Sequence, residues 1–443
     1  MAKSNTTYFC TNCGFESRKW LGQCPSCSEY GTFEEEQKVS GSNKGNRERA
    51  KTYKISDVEK IHFDRKSTGF AEIDRVLGED IANKSNTGLV SGGVALFSGD
   101  PGIGKSTVLL QICANLVKSF KNIIYVSAEE SIHQVALRAN RILDTKKNSL
   151  DQIKLVHTEN LETIFETIEK EKSEFVVIDS IQTIQTDDVT GAAGGIAQVK
   201  ACTGKIVNFA KSRNITVIMV GHINKEGTIA GPKVLEHLVD TVIQLEGENN
   251  TDLRIVRSLK NRFGAVNEVG ILKMDENGLS DVINPSEYFL SNESVPGICK
   301  CPILEGNRII IIEVQALISP TVFSFPKRIS EGVSLSRLQL ICAILQRYSG
   351  ISLSDKDVYL STSGDLKVTD RAIDLAIAIA IYSSYKNKAV NPKSVAFGEL
   401  SLSGKINKVI ASSRRESEAK RMGYGEVFLD SNTRNLREIK KIF

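Results

Sequence analysis

Val94-Ala95-Leu96-Phe97-Ser98-Gly99-Asp100-Pro101-Gly102-Ile103-Gly104-Lys105-Ser106-Thr107 is an apolar run that stops at a glycine-rich loop and resumes as a helical pattern from Ser106. Residues 99–107 have the form GxxxxGK[ST], in the strand, loop and helix setting that this motif requires. The glycines let backbone N–H groups turn toward a β-phosphate and the Lys105 ammonium reaches the β- and γ-oxygens. The Ser106 hydroxyl ligates Mg2+ at the positive end of the helix. Gly99, Asp100, Pro101, Gly102, Ile103, Gly104, Lys105, Ser106 and Thr107 are therefore the expected binding residues for ATP with Mg2+.

Outward from this loop the same alternation continues. Residues 122–126, 175–179 and 215–220 are continuous apolar runs, as strands buried on both faces require, and helical patterns such as 106–116 and 161–170 separate them. The order predicts a doubly wound parallel sheet. An acid at the end of a buried strand is needed for the metal, and Asp179 closes Phe175-Val176-Val177-Ile178-Asp179. A second acid is needed to orient the attacking water; Glu129, just past the strand that follows the loop helix, fills that role, while Glu130 equally suits a helix start. His222 ends another apolar strand, where it either senses the γ-phosphate or serves a structural role. Lys260-Asn261-Arg262-Phe263-Gly264 sets two cations and an aromatic on one turn, either an exposed basic hairpin loop or a phosphate or DNA contact.

At the N-terminus Cys10-Thr11-Asn12-Cys13 and Cys24-Pro25-Ser26-Cys27 form two CxxC knuckles ten residues apart. Cys10, Cys13, Cys24 and Cys27 are the expected ligands of a tetrahedral structural Zn2+, which staples about thirty residues too few to bury a core alone. Trp20, the only tryptophan, lies between the knuckles and is expected to pack over the cluster, the alternative being a base stack. The remaining five of nine cysteines are scattered, which opposes a disulfide scaffold.

The whole chain has 443 residues, 57 lysines and arginines against 53 acids, and 41% hydrophobic content. It is long enough for several cored domains, and its net charge of +4 announces no general polyanion binder. The first residues lack a signal-peptide core and the longest apolar run, 375–382, is too short to span a bilayer, so a cytoplasmic protein without membrane partners is expected. We expect an α/β multidomain chain: a zinc module at 1–32, a polar linker at 33–62, a P-loop ATPase domain at 63–285 and a separate α/β domain at 286–443.

Several stretches, taken in order, resemble the RadA (Sms) family of bacterial RecA-related ATPases over nearly the whole chain. They are the cysteine module, Ser67-Thr68-Gly69, Asp74-Arg75-Val76-Leu77-Gly78, residues 99–107, Glu129-Glu130-Ser131, Gly221-His222, Lys225-Glu226-Gly227, Val234-Leu235-Glu236-His237, residues 260–264 and Asn284-Pro285-Ser286. The resemblance implies a RecA-like core in a homo-oligomeric, hexameric ring that hydrolyses ATP while moving on single-stranded and branched DNA. It further implies branch migration together with the RecA recombinase. By position, Lys105 is the Walker lysine, Asp179 the Walker B acid and Glu129 the catalytic glutamate. Lys260 and Arg262 serve DNA engagement or subunit coupling. Ala128 and Asn224 depart from the usual glycine and threonine, and residues 83–87 resemble a small insertion.

The last domain resembles the proteolytic domain of Lon proteases through Phe397-Gly398-Glu399-Leu400-Ser401-Leu402-Ser403-Gly404-Lys405-Ile406. Residues 367–373 lack the serine expected there, Arg414 or Arg415 falls where the lysine is expected, and an arginine cannot deprotonate to act as base. All five histidines lie at or before position 237, so no Ser-His-Asp triad can form within this domain. The expectation is an inactive protease fold reused as scaffold. Residues 405–443 carry ten cations against five acids, which suits either a phosphate-facing surface or a solvated helix face. The rival functions are a nucleotide-switched DNA-binding recombination scaffold that does not translocate, and an ATP-dependent protease.

Overall fold

The computed structural model describes residues 6–10, 15–17, 19–25, 28–37, 64–80, 86–143, 150–222, 233–247, 252–291, 293–365, 367–428 and 434–443. Two compact units divide the chain, Met1–Val282 and Ile283–Phe443. Within the first, β1 (Thr6–Cys10), β2 (Glu16–Ser17) and β3 (Phe33–Gln37) form a small antiparallel sheet in the order β2-β1-β3. Its core is minimal: Cys10, Cys24 and Phe33 are buried, with Tyr8 and Leu21 against them.

Next in the first unit comes a two-stranded ribbon, β4 (Arg65–Lys66) and β5 (Leu89–Val90). The large sheet contains β6 (Val94–Gly99), β7 (Ile123–Ser127), β8 (Ile153–Val156), β9 (Phe175–Asp179), β10 (Thr216–His222), β11 (Thr241–Glu246), β12 (Leu253–Asn261), β13 (Val269–Asp275) and β14 (Gly278–Asp281). The order is β14-β13-β12-β11-β6-β10-β9-β7-β8, parallel from β11 to β8 and antiparallel from β11 to β14.

Alternate residues of each central strand go to opposite cores. Ala95, Phe97, Tyr125, Val177 and Val220 face one side with the helix Lys105–Leu116, and Val94, Leu96, Val126, Ile178 and Met219 face the other with Ile196–Arg213. This two-sided burial is why the strands read as unbroken apolar runs. The helix Ile132–Ile142 begins at a capping box in which Ser131 and Gln134 satisfy each other's backbone N–H groups.

In the second unit β15 (Ile298–Glu305), β16 (Arg308–Pro320), β17 (Arg328–Ser330) and β18 (Lys356–Thr362) form a sheet in the order β15-β16-β18-β17. The pairs β19 (Ser394–Ala396) with β22 (Glu426–Phe428) and β20 (Glu399–Leu400) with β21 (Ile406–Asn407) complete it. The apolar run 375–382 is the buried centre of the helix Ile373–Lys386. Among the described residues no helix is long and apolar enough to cross a membrane.

Two sequence alternatives narrow here. Arg415 is 1% exposed, paired with Asp370 at 2.7 Å and donating to the carbonyls of Pro302 and Ile410, whereas Arg414 is exposed and donates to Asn307. The surplus cations of 405–443 are partly paired within the stretch, Lys420 with Glu416, Arg421 with Glu418 and Lys441 with Glu438, which offsets part of that surplus.

Asp374 is fully buried, held by a two-pronged contact from Arg337 and by the Leu400 N–H at 3.0 Å. Replacing Arg337 by alanine leaves that carboxylate buried and unpaired, a loss of about 3–5 kcal/mol. Burial already holds the Asp374 carboxyl above its ordinary range, and losing Arg337 raises it further. The folded variant then binds a proton more tightly than the unfolded chain, so the deficit shrinks as pH falls from neutral toward the ordinary carboxylate range. Native-state hydrogen exchange of the helix Ile373–Lys386 at pH 7 and at mildly acid pH measures both; protection equal to the native chain at pH 7 contradicts the assignment.

Candidate functional site

Because β6, β7, β9 and β10 are parallel neighbours, their carboxyl ends meet along one edge, with Gly99 beside His222 and Ser127 beside Asp179. That edge is where open α/β sheets bind ligands. The phosphate loop leaves β6 there. Gly104 has φ +112, and a Cβ on it would stand 2.3 Å from the Met274 methyl carbon, so only glycine fits this turn. Lys105 is 5% exposed and its ammonium donates to the carbonyls of Gly99 and Asp100, both at 2.8 Å. Burial lowers the lysine from its ordinary range, while Asp179, Glu129 and Asp100 act in the opposite sense.

Asp179 Oδ2 accepts the Tyr125 hydroxyl at 2.5 Å, and the Ser106 side chain bonds to the same carboxylate. Burial lifts the Asp179 carboxyl above its usual range, and the two hydroxyl donors oppose that lift. The phenol of Tyr125, itself buried, is pushed well above its usual range by burial. Glu129 stands across the edge. Its carboxylate accepts the Ser180 hydroxyl, and His222 Nε2 lies 3.1 and 3.2 Å from its two oxygens. A carboxylate can only accept, so Nε2 carries the proton in this contact. The His222 hydrogen bond is the main reason that Glu129 sits below its ordinary range. His222 Nδ1 is buried and finds no hydrogen-bond partner among the described residues. Glu130 instead forms a two-pronged pair with Arg138, both contacts 2.7 Å, at the start of the next helix.

Lys105, Ser106, Asp179, Glu129 and His222 are thus gathered on one edge, whereas Lys260 and Arg262 are not. Strand β12 runs antiparallel, which sets Asn261 beside Thr241 and Thr241 beside Ala95, at the opposite edge. Residues 262–264 form the bend of the hairpin between β12 and β13, with Arg262 exposed, whereas Asn261 is buried and Lys260 is half-buried and anchored within the chain. Lys260 donates to the carbonyls of Glu236 at 2.5 Å, Val239 at 2.8 Å and His237 at 3.3 Å, beyond and within the helix Lys233–Leu238. Arg262 pairs with Asp240 at 3.2 Å, and the buried Asn261 amide donates to Leu77. Burial and the neighbouring Arg262 both lower the Lys260 ammonium from its ordinary range. Residues 224–227 lie outside the described residues, as do most of 83–87.

Sequence reasoning missed Tyr125 and Ser180. A tyrosine inside an otherwise aliphatic strand was the available signal, since a buried phenol needs a polar partner. Ser180 carried none beyond adjacency to Asp179.

In the cysteine module the Cys10 N–H donates to Phe15 O at 2.9 Å and the Cys24 N–H to Glu29 O at 2.8 Å. Each bond spans five residues, so the two knuckles repeat one local geometry. Both thiols are wholly buried in the same small cluster, which fits a soft thiophilic ion; Cys13 and Cys27 lie outside the described residues. Trp20 is not packed over the cluster as expected: it is 57% exposed, anchored by its indole N–H on Phe33 O at 3.1 Å. As the only tryptophan it reports on this module alone. One zinc per chain is expected by elemental analysis, and Cys24→Ser should lose it and change Trp20 emission. A metal content unchanged by that substitution contradicts the ligand set.

Three family models match: an AAA domain over residues 82–228, a rubredoxin metal binding domain over residues 8–35 and subunit ChlI of Mg-chelatase over residues 333–433. DNA repair protein RadA of Streptococcus pyogenes serotype M6 is 41% identical over 438 residues, covering 98% of this chain and 94% of its own length. The protein of that name from Aquifex aeolicus is 43% identical over 431 residues, 97% of this chain and 94% of its own. That from Bacillus subtilis is 40% identical over 440 residues, covering 97% and 93%. These matches run through the zinc module, the phosphate-binding edge and the C-terminal α/β domain alike, and on them the chain belongs to the DNA repair protein RadA family.

Proposed function

We propose that this chain is a DNA-dependent ATPase of recombinational repair, a RecA-related ring motor on single-stranded DNA that promotes branch migration of recombination intermediates. The observation that carries the reading is the division of the core between two edges. Along the strands Lys260 is level with Leu96, three residues or about 10 Å short of Gly99 where the phosphate loop begins, and Arg262 follows the far end of β12. We infer that these cations, held within the chain by backbone carbonyls and by Asp240, are exchanged onto DNA or a neighbouring subunit in a hexamer rather than onto their own subunit's nucleotide.

At the phosphate edge, Lys105 exchanges the carbonyls of Gly99 and Asp100 for β- and γ-oxygens when ATP binds. Ser106 Oγ and Asp179 are adjacent oxygen donors of the kind Mg2+ takes and would hold it here. Mg2+, when bound, neutralises charge on the phosphate oxygens. Glu129 accepts the proton of the attacking water, and Ser180 and His222 hold its carboxylate toward the site. His222 is also placed to register whether a γ-phosphate is present. RecA and branched DNA are the partners this reading brings. Peptidase chemistry is opposed by the buried ion pair that Arg415 makes with Asp370.

The second reading is an ATP-switched DNA-binding scaffold that does not translocate. Steady-state ATP hydrolysis with and without single-stranded DNA separates the two when joined to strand displacement on a branched substrate. The native chain should be DNA-stimulated and move the branch, Lys105→Ala should abolish turnover, and Lys260→Ala should lose stimulation. Glu129→Gln should lower kcat by about 10²- to 10⁴-fold while still binding nucleotide. Hydrolysis indifferent to DNA, or DNA binding without branch movement, would transfer the assignment to the scaffold.

A further inference from the structure

We propose that Arg254 is a positioning residue for nucleotide binding, a strut that holds the phosphate loop from behind. Arg254 lies on β12, is 7% exposed, and its Nε donates to the carbonyl of Ile103 at 3.0 Å, 151 residues away in sequence. Its Nη1 donates to Leu253 O at 2.7 Å, so the planar guanidinium is oriented from its own strand while it grips the loop.

The consequence follows from peptide geometry. The Ile103 carbonyl and the Gly104 N–H belong to one planar trans peptide and point in opposite directions. Tying the carbonyl to Arg254 on the β12 side fixes the Gly104 N–H toward the other side, where a phosphate is received. Gly104, at φ +112, has no side chain to restrict its rotation, so an external donor is what sets this peptide. Gly247 makes the reach possible: a Cβ there would stand 2.8 Å from Arg254 Cδ, 2.9 Å from Leu253 O and 3.2 Å from Ile103 Cδ1. Three segments, residues 103–104, 247 and 253–254, are thus packed so that one arginine stem crosses to the loop. Arginine suits the task because it stays charged when buried and aims its donors rigidly.

The inference rests on ATP occupying this loop. Its test is titration of the full-length, zinc-loaded chain with a fluorescent ADP analogue, together with KM and kcat for ATP, for the native chain, Lys105→Ala, Arg254→Met and Arg254→Lys. Arg254→Met should weaken nucleotide binding and raise KM by about tenfold, the range for a lost hydrogen bond from a charged group. That loss should fall on KM and Kd more than on kcat, and Arg254→Lys, which keeps the charge without the rigid fork, should restore only part of it. A purely structural role would instead reduce the active fraction and leave Kd and KM alone. Binding by Arg254→Met within twofold of native, or a fall in kcat at constant KM, overturns the strut. If Arg254→Met does not fold, Gly247→Ala carries the same comparison, with several-fold weaker binding expected and unchanged Kd overturning it. A native chain that binds no analogue would sink the ATP reading itself, a result distinct from either.

Discussion

The structure depends on one constraint: β6, β7, β9 and β10 must be apolar on both faces because helices cover both. A parallel sheet so enclosed has nowhere within it for a charge, and its backbone groups are consumed by the ladder. Polar chemistry is therefore confined to the strand ends. The carboxyl ends collect a lysine, two acids, a histidine and the hydroxyls of Ser106, Ser180 and Tyr125 within one polar rim above two dry cores. The same enclosure explains the directions of titration there, Asp179 and Tyr125 pushed up and Lys105 pushed down, burial being the first cause in each.

Most of that rim is satisfied from within, the buried Nδ1 of His222 being the exception among its described groups. Lys105 rests on two carbonyls of its own loop, and Glu129 is saturated by Ser180 and His222. Charged groups at the rim thus find protein partners of complementary polarity. The desolvation that makes an unpaired buried charge costly is offset, and each contact is of a strength that a charged ligand can replace.

Much of this was legible in the chain because it is local. The loop 99–107 declares its geometry through glycine spacing, and Asp179 through the apolar run before it. What escaped was set by partners distant in sequence. The Tyr125 hydroxyl meets Asp179 across the sheet, Arg254 meets Ile103 from an antiparallel strand, and Lys260 ends a helix more than twenty residues upstream. No periodicity encodes such pairings; they follow only once strand order and register are known. For that reason the hairpin bend at 262–264 could be read from the sequence while the anchoring of Lys260 and the burial of Asn261 could not, and a packed Trp20 failed likewise, its indole N–H resting on a single carbonyl with the residue 57% exposed.

Lys260 carries a further thermodynamic implication. Its ammonium closes the carboxyl end of the helix Lys233–Leu238, supplying the donor that the last carbonyls of a helix otherwise lack. Any anion that draws Lys260 away returns those carbonyls to water and loosens the final turn. Fraying of that helix end and occupancy of Lys260 are accordingly reciprocal: whatever orders the one disfavours the other by the same free energy.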